Sequence, residues 1–169
     1  MLPYRQYLLL VFFSAFWGAK LQAQASKEVP PPPTASAVPA PPPVYTIYDS
    51  MPQLEERILQ SSKATTLVIK FWATWCKPCV EELPMFEQLN ERYGNKNVKV
   101  LLVSLDFKSQ LQKRFLPFLE TTRLKSEVVL FADQDANTWI PRINEEWDGA
   151  IPATYIIRDG KREFHSGRF

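Results

Sequence analysis

The chain has 169 residues, of which 46% are hydrophobic and 22% charged, and its formal net charge at neutral pH is +2. This length and this hydrophobic content suit one folded domain with extensions. Outside Arg5 and Lys20 the chain carries 18 basic and 18 acidic residues. Such a neutral balance lacks the basic surface that nucleic-acid binding requires, so we expect no nucleic acid among the partners.

Residues 1–25 have the pattern of an export signal. Arg5 precedes an apolar run from Tyr7 to Ala19, and the small-residue motif Ala23-Gln24-Ala25 follows. The run is shorter than the roughly 20 residues that a membrane-spanning helix needs. We therefore expect cleavage after Ala25 and a periplasmic or otherwise exported protein. The alternative is an uncleaved segment that anchors the protein in a membrane, the one case in which a membrane would be a partner.

Residues 26–45 form a proline-rich linker, with eight prolines among the fourteen residues 30–43. Proline favours the extended polyproline II conformation and supplies no backbone donor, so this composition rarely packs into a core. The segment is interpreted as a solvated leader or a spacer. A third interpretation, a ligand for an aromatic groove on another protein, stays open.

Residues 46–169 alternate helix and strand patterns, as expected for an α/β domain. In chain order the pattern predicts a helix at Pro52–Ser62, a strand at Thr65–Ala73, a helix at Lys77–Tyr93, a strand at Val98–Asp106, a helix at Ser109–Thr122, a strand at Ser126–Asp133, a short helix at Thr138–Ile143 and a hairpin turning at Asp159–Gly160. The alternation predicts parallel strands and the hairpin adds antiparallel ones. The fold class is therefore a central mixed β-sheet flanked by helices.

The only cysteines, Cys76 and Cys79, lie three positions apart where a buried strand gives way to a helix. A closed zinc site needs four ligands, whereas the chain offers two cysteines and one histidine, His165, so we expect no metal. A disulfide across so short a loop contributes little stability. A redox pair fits better, because a sulfur at a helix N-terminus faces free N–H groups that favour the thiolate.

In this interpretation Cys76 attacks a substrate disulfide and Cys79 resolves the mixed disulfide one helical turn on. Lys77 adds a neighbouring cation, and Pro78 suits the first helical turn and stiffens the loop. Four tryptophans, Trp72, Trp75, Trp139 and Trp147, are predicted to be core residues except Trp75, which we expect to face substrate. No cofactor is expected beyond the redox-active disulfide itself.

The segments "FWATWCKPC" and "GAIPATYII" resemble the thioredoxin superfamily, and more narrowly the exported disulfide reductases of the TlpA/ResA type. The resemblance covers about residues 65–167 and implies a thioredoxin-like fold. It also implies that Pro152 is a cis-proline beside the cysteines and that Ile151 contacts peptide substrates. The family continues into a C-terminal helix after the last strand, which this chain lacks, so we expect an uncovered apolar surface on the sheet.

The resemblance also implies a role for Glu82, three residues after Cys79, in thiol protonation. A partly buried carboxylate there is suited to accept the proton that Cys79 loses. The alternative is an ordinary glutamate on the helix surface. Lys70 departs from the family, since thioredoxins carry a buried aspartate at that strand position. Lys70 is expected either to face an exposed pocket or to be buried and to pair with Glu82.

The chain is thus interpreted as an exported enzyme, a thiol-disulfide oxidoreductase that reduces protein disulfides. The family resemblance implies a membrane-bound thiol electron donor and cytochrome c maturation as the typical task, while the sequence leaves open whether the protein reduces or oxidises. One alternative is a copper carrier using Cys76, Cys79 and His165. Another is a tethered, non-catalytic interaction module. A peroxidase is disfavoured, because the Pro-x-x-x-Thr-x-x-Cys approach does not precede Cys76.

Overall fold

The computed structural model describes residues 43–62 and 66–169. The predicted signal peptide and the linker up to residue 42 lie outside the described residues. The elements in chain order are β1 (Thr46–Tyr48), α1 (Met51–Ser62), β2 (Thr66–Trp72), α2 (Lys77–Tyr93), β3 (Val98–Ser104), α3 (Leu116–Thr122), β4 (Glu127–Phe131), α4 (Ala136–Ile143), β5 (Ala153–Arg158) and β6 (Lys161–Ser166).

The strands form one sheet in the order β1-β4-β3-β2-β5-β6. The first four strands in this order are parallel, while β5 runs antiparallel to β2 and pairs with β6 in a hairpin. Asp159 and Gly160, both with positive φ, form the turn of that hairpin. The prediction of a mixed sheet with an antiparallel edge is confirmed.

Two apolar cores lie on opposite faces of the sheet, because successive strand residues point to opposite sides. Along β2, Leu67, Ile69 and Phe71 pack with α1 and α4. Val68 and Trp72 point the other way and pack with α2, α3 and the two cysteines. As strand β2 is covered on both faces, its nearly continuous apolar sequence is explained.

The structure departs from the predicted elements at two places. The short edge strand β1 was not predicted, since its three residues give little signal. The helix predicted over Ser109–Thr122 is divided into a 3-10 turn, a π-helical turn over Leu111–Phe115 and α3. Pro117 has no N–H to donate four residues back, and the wider π turn before it accommodates that loss.

An open groove of about 530 Å³ lies between α2 and the sheet. Its apolar lining comes from Met85, Leu89, Tyr93, Val98, Ile156 and Phe169. Helix α2 and the β2–β5 pair thus form the walls of an open apolar channel.

Candidate functional site

Cys76 and Cys79 form a disulfide at the start of α2, with their Cα atoms 5.2 Å apart. Cys76 is the N-cap residue of this 17-residue helix, and Pro78 lies in its first turn. The backbone N–H of Cys79 donates to Cys76 Sγ at 3.3 Å. A helix N-terminus presents unpaired donors and a partial positive charge, so the site stabilises negative charge on Cys76 Sγ.

The two cysteines differ slightly in their exposure to solvent. Cys76 keeps 6% of its surface exposed, whereas Cys79 has none. Trp75, beside Cys76, is 50% exposed, and Lys77 is also exposed, with its ammonium 4.0 Å from Glu81. Pro78 is half-buried. An approaching disulfide therefore meets Cys76 first, with Trp75 and Lys77 at the rim.

The loop before β5 lies against Cys76. The Ile151–Pro152 peptide bond is cis, as the family resemblance implied. The carbonyl oxygen of Ile151 lies 3.8 Å from Cys76 Sγ. Ile151 is half-buried and packs against both apolar cores. The structure thus brings Ile151 and Pro152 together with the cysteines from a position 75 residues along the chain.

Trp147 holds this loop in place, a role that the sequence analysis missed. It is 4% exposed, and its indole N–H donates to the carbonyl oxygen of Ala150 at 2.8 Å. Gly149, between them, has φ +86°, and a Cβ there would lie 2.7 Å from Ile140 Cδ1. The only signal in the sequence was a tryptophan close before "GAIP".

Asp106 is a second residue that the sequence analysis did not single out. Its carboxylate accepts hydrogen bonds from the Thr74 N–H at 2.9 Å, the Thr74 hydroxyl at 2.6 Å and the Ser104 hydroxyl at 2.7 Å. Asp106 follows β3 and is 2% exposed. It therefore ties the loop that carries Trp75 and Cys76 to the neighbouring strand. The sequence did show an acidic residue directly after a buried parallel strand, and functional side chains are often found at that end of such strands.

We expect Asp106→Asn to destabilise the domain by about 1.5–3 kcal/mol, the usual contribution of hydrogen bonds to a charged group. The amide would replace one acceptor oxygen with a donor that faces the donors of Thr74 and Ser104. Urea unfolding followed by fluorescence measures the loss. The matched control is Asp159→Asn, because Asp159 is an exposed aspartate in the β5–β6 turn. This control should leave the free energy of unfolding unchanged. Equal losses of stability in both variants would contradict the anchoring role of Asp106.

Lys70 and Glu82 form a buried ion pair behind the cysteines, which answers the question left open for Lys70. Lys70 Nζ lies 2.8 Å from Glu82 Oε2, and the two side chains are 0% and 6% exposed. Burial lowers the pKa of Lys70, while the hydrogen bond and the charge of Glu82 oppose that shift. Glu82 is therefore no ordinary surface glutamate, in contrast to its neighbour Glu81, which is exposed.

His165 lies on the exposed edge strand β6, where its Nε2 is 3.0 Å from the Arg168 carbonyl oxygen and its ring stacks on Phe169. Among residues 43–62 and 66–169, three or more His, Cys, Asp or Glu side chains nowhere converge as a metal site. Within the same described ranges, no helix has both the length and the apolar composition needed to cross a membrane.

Known proteins resemble this chain in sequence and in fold. The model of the AhpC/TSA family matches residues 50–162. The thioredoxin-like protein YneN of Bacillus subtilis is 33% identical over 104 residues, 61% of this chain and 56% of that protein. The thiol-disulfide oxidoreductase ResA of Oceanobacillus iheyensis is 30% identical over 126 residues, 68% of this chain and 61% of its own length. The chain thus spans about three fifths of these relatives.

Among solved structures, a thiol:disulfide interchange protein of the thioredoxin family from Chlorobium tepidum TLS superposes with a TM-score of 0.52. The superposition covers 65% of this chain and 74% of that one, at 21% sequence identity. At this identity the likeness supports the fold alone. It agrees with the thioredoxin-like architecture that the cysteine and cis-proline motifs implied.

Proposed function

This chain belongs to the AhpC/TSA family, with a thioredoxin-like fold, and on that premise we propose that it reduces protein disulfides through a dithiol formed by Cys76 and Cys79. Relatives that match most of the folded part are named thiol-disulfide oxidoreductases. The proposal extends that activity to this chain and gives it a direction.

The observation that carries the proposal is the asymmetry of the two sulfurs. Cys76 Sγ accepts the Cys79 N–H at the N-terminus of α2, and Cys76 as a residue keeps 6% of its surface exposed, whereas Cys79 is fully buried. Thiolate, not thiol, is the nucleophile in disulfide exchange. Cys76 is thus the attacking residue, and Cys79 is the resolving residue.

The reaction proceeds in two exchanges that balance in electrons. The Cys76 thiolate attacks one sulfur of a substrate disulfide, forms a mixed disulfide and releases the other substrate sulfur as a thiolate. Cys79 then loses its proton and attacks Cys76 Sγ, which forms the Cys76–Cys79 disulfide and releases the second substrate thiol. The protein is oxidised by two electrons and the substrate is reduced by two. An external dithiol donor, which we propose to be membrane-bound, returns the protein to the dithiol state.

Glu82 is proposed as the acceptor of the Cys79 proton. The two residues lie three positions apart on α2, so their side chains share one face of the helix, and both are buried. Water has little access to this place. A carboxylate within the protein is then the available base.

Peptide substrates are proposed to bind along the backbone of Ile151 and Pro152. An extended peptide can pair with exposed backbone as an added strand, which gives affinity without demanding a particular sequence. The half-exposed ring of Trp75 and the Lys77–Pro78 turn would contact the residues on either side of the substrate disulfide.

Export is a separate part of the proposal and rests on the sequence pattern of residues 1–25. We propose a signal peptide, a proline-rich linker over residues 26–45 and a thioredoxin-like domain over residues 46–169. An oxidised apocytochrome c is a reasonable first protein substrate to test. Mass spectrometry of the protein from the periplasmic and membrane fractions would distinguish cleavage after Ala25 from an uncleaved anchor.

We expect the purified protein to reduce insulin with dithiothreitol as donor and to have a reduction potential near the −270 mV of thioredoxin rather than the roughly −120 mV of the oxidant DsbA. Equilibration in glutathione and dithiothreitol series, with thiol alkylation as readout, measures the potential. An oxidising potential would reverse the proposed direction. Insulin reduction at the background rate would favour the interaction module, and a stoichiometric Cu(I) complex without reductase activity would favour the copper carrier.

A further inference from the structure

Lys70 lies in the middle of the central strand β2, where a charged side chain is unexpected. It is completely buried, and so are its strand neighbours Ile69 and Phe71. Its ammonium contacts Glu82 Oε2 at 2.8 Å and Thr154 Oγ1 at 3.4 Å. Lysine is almost never fully buried unless it is paired, so the Glu82 carboxylate accounts for its place in the core.

The Lys70 side chain points to the face of the sheet that carries the cysteines. Strand residues alternate, so Lys70 shares the face of Val68 and Trp72, and both of these pack in one cluster with Cys76 and Cys79. The Lys70–Glu82 pair therefore lies on the cysteine side of the sheet. It occupies the layer between β2 and α2.

Both oxygens of Glu82 have partners, yet the carboxylate keeps room for a proton donor. Oε2 accepts from Lys70, and Oε1 accepts from the Phe169 N–H at 2.7 Å. Each carboxylate oxygen has two lone pairs, so two acceptor positions are left. Cys79, one turn back along α2 and fully buried, lies on the same face of the helix.

The charge state of a buried carboxyl depends on its partner. Removal from water disfavours the ionised form, and an opposite charge in contact restores it. Without the ammonium, the least costly response of Glu82 is to take up a proton. A protonated Glu82 has no capacity to accept the proton of Cys79.

We propose that Lys70 is a positioning residue that keeps Glu82 ionised and oriented as the proton acceptor for Cys79, and so sets the rate at which the mixed disulfide is resolved. Lys70 touches neither sulfur in this scheme and acts only through Glu82. The inference rests on the proposed function, because it concerns the second exchange of that reaction.

Other charged and titratable groups lie around the pair. Helix α2 contributes Cys79 and Glu81, and β5 contributes the Thr154 hydroxyl. Beyond β6, Arg168 pairs with Glu81 at 3.1 Å, and His165 stacks on the ring of Phe169. The Phe86 ring lies 4.8 Å from the Lys70 ammonium and shields it. Histidine changes charge between pH 5 and 8 in general, so His165 must be controlled for in any pH profile.

The test is a stopped-flow reaction of the reduced protein with 5,5′-dithiobis(2-nitrobenzoate). The first release of nitrothiobenzoate reports attack by Cys76, and the second reports resolution by Cys79. In Lys70→Met the first phase should keep its rate, whereas the second should slow by about tenfold or more, in line with loss of a general base. The pH at which the second phase reaches half its maximum should also rise.

Four variants separate this role from a loss of packing. Glu82→Gln should slow the second phase as much as Lys70→Met does. The double variant Lys70→Met/Glu82→Gln should be no slower than either single variant, because the two residues act as a unit. Arg168→Gln and His165→Gln, which alter neighbouring charges outside the pair, should resolve at the wild-type rate. Infrared spectra of Lys70→Met at neutral pH should gain a protonated-carboxyl band that the double variant lacks.

The possible results discriminate between the two proposals. If the wild-type protein shows no second phase, the proposed dithiol mechanism fails. If the wild type resolves normally and Lys70→Met resolves at the same rate with the same pH profile, the dithiol mechanism stands and the role of Lys70 is refuted. If folded Lys70→Met shows no protonated-carboxyl band, the proposed role of Lys70 is refuted as well. The double variant retains no buried unpaired charge, so it is expected to fold even if Lys70→Met does not.

Discussion

Cys76→Ser is expected to abolish insulin reduction, while Cys79→Ser is expected to stop after one exchange and accumulate the mixed disulfide. The hydroxyl of serine is not ionised at neutral pH, so the first variant has no nucleophile at the helix N-terminus. In the second variant Cys76 still attacks, since its position as N-cap depends on backbone geometry. Nothing then displaces the captured substrate from Cys76 Sγ.

Mass spectrometry after incubation with a disulfide-containing peptide distinguishes the two outcomes. Cys79→Ser should carry one peptide per chain, released by dithiothreitol, and Cys76→Ser should carry almost none. The double variant Cys76→Ser/Cys79→Ser controls for non-covalent binding. The assignment of roles would be wrong if Cys76→Ser were the variant that accumulated peptide, because the buried Cys79 would then be the attacking sulfur.

The sequence predicted best those elements whose signals are local. Helix α2 has the predicted bounds Lys77–Tyr93, because a strand end, a proline in the first turn and a closing glycine all mark it. The segment over residues 109–122 was predicted as one helix and is not. Its apolar periodicity was genuine, but Pro117, which has no N–H to donate, lies where the π-helical turn gives way to α3.

The candidate site residues could be predicted to lie close together where they are close in the chain. Cys76, Cys79 and Glu82 follow from one motif. Asp106 and Trp147 were missed, because their importance comes from hydrogen bonds to Thr74 and Ala150 that only the folded chain brings about. Side-chain contacts to backbone across loops leave no periodic trace in a sequence.

Lys70 shows a third situation, in which the sequence posed a choice and the structure decided it. A lysine in an apolar strand was compatible with an exposed pocket or with a buried pair. The deciding facts are its complete burial and its 2.8 Å contact with Glu82. Because a lone buried ammonium is so costly, the Lys70–Glu82 pair must be preserved or replaced as a whole.

Trp147→Ala is expected to cost about 3–5 kcal/mol in the free energy of unfolding, the range for truncating a buried aromatic side chain to alanine. The indole is 4% exposed and packs against Phe71 at 4.8 Å, Phe164 at 5.5 Å and Trp139 at 5.6 Å between ring centroids. Its removal leaves a cavity on the face of the sheet opposite the cysteines. Urea unfolding of the two proteins gives the difference directly.

Trp147→Phe separates packing from the positioning of the substrate loop. Phenylalanine keeps an aromatic ring in the cluster but cannot donate to the Ala150 carbonyl, so we expect a loss of about 1 kcal/mol and a raised KM for peptide disulfides, with little change in kcat. Trp139→Phe is the matched control, because Trp139 lies in the same cluster and donates instead to the Asp133 carbonyl at 3.1 Å. A similar stability loss with an unchanged KM in Trp139→Phe would assign the KM effect to the Ala150 hydrogen bond. A wild-type KM in Trp147→Phe would mean that Ile151 keeps its place beside Cys76 without the Trp147 hydrogen bond.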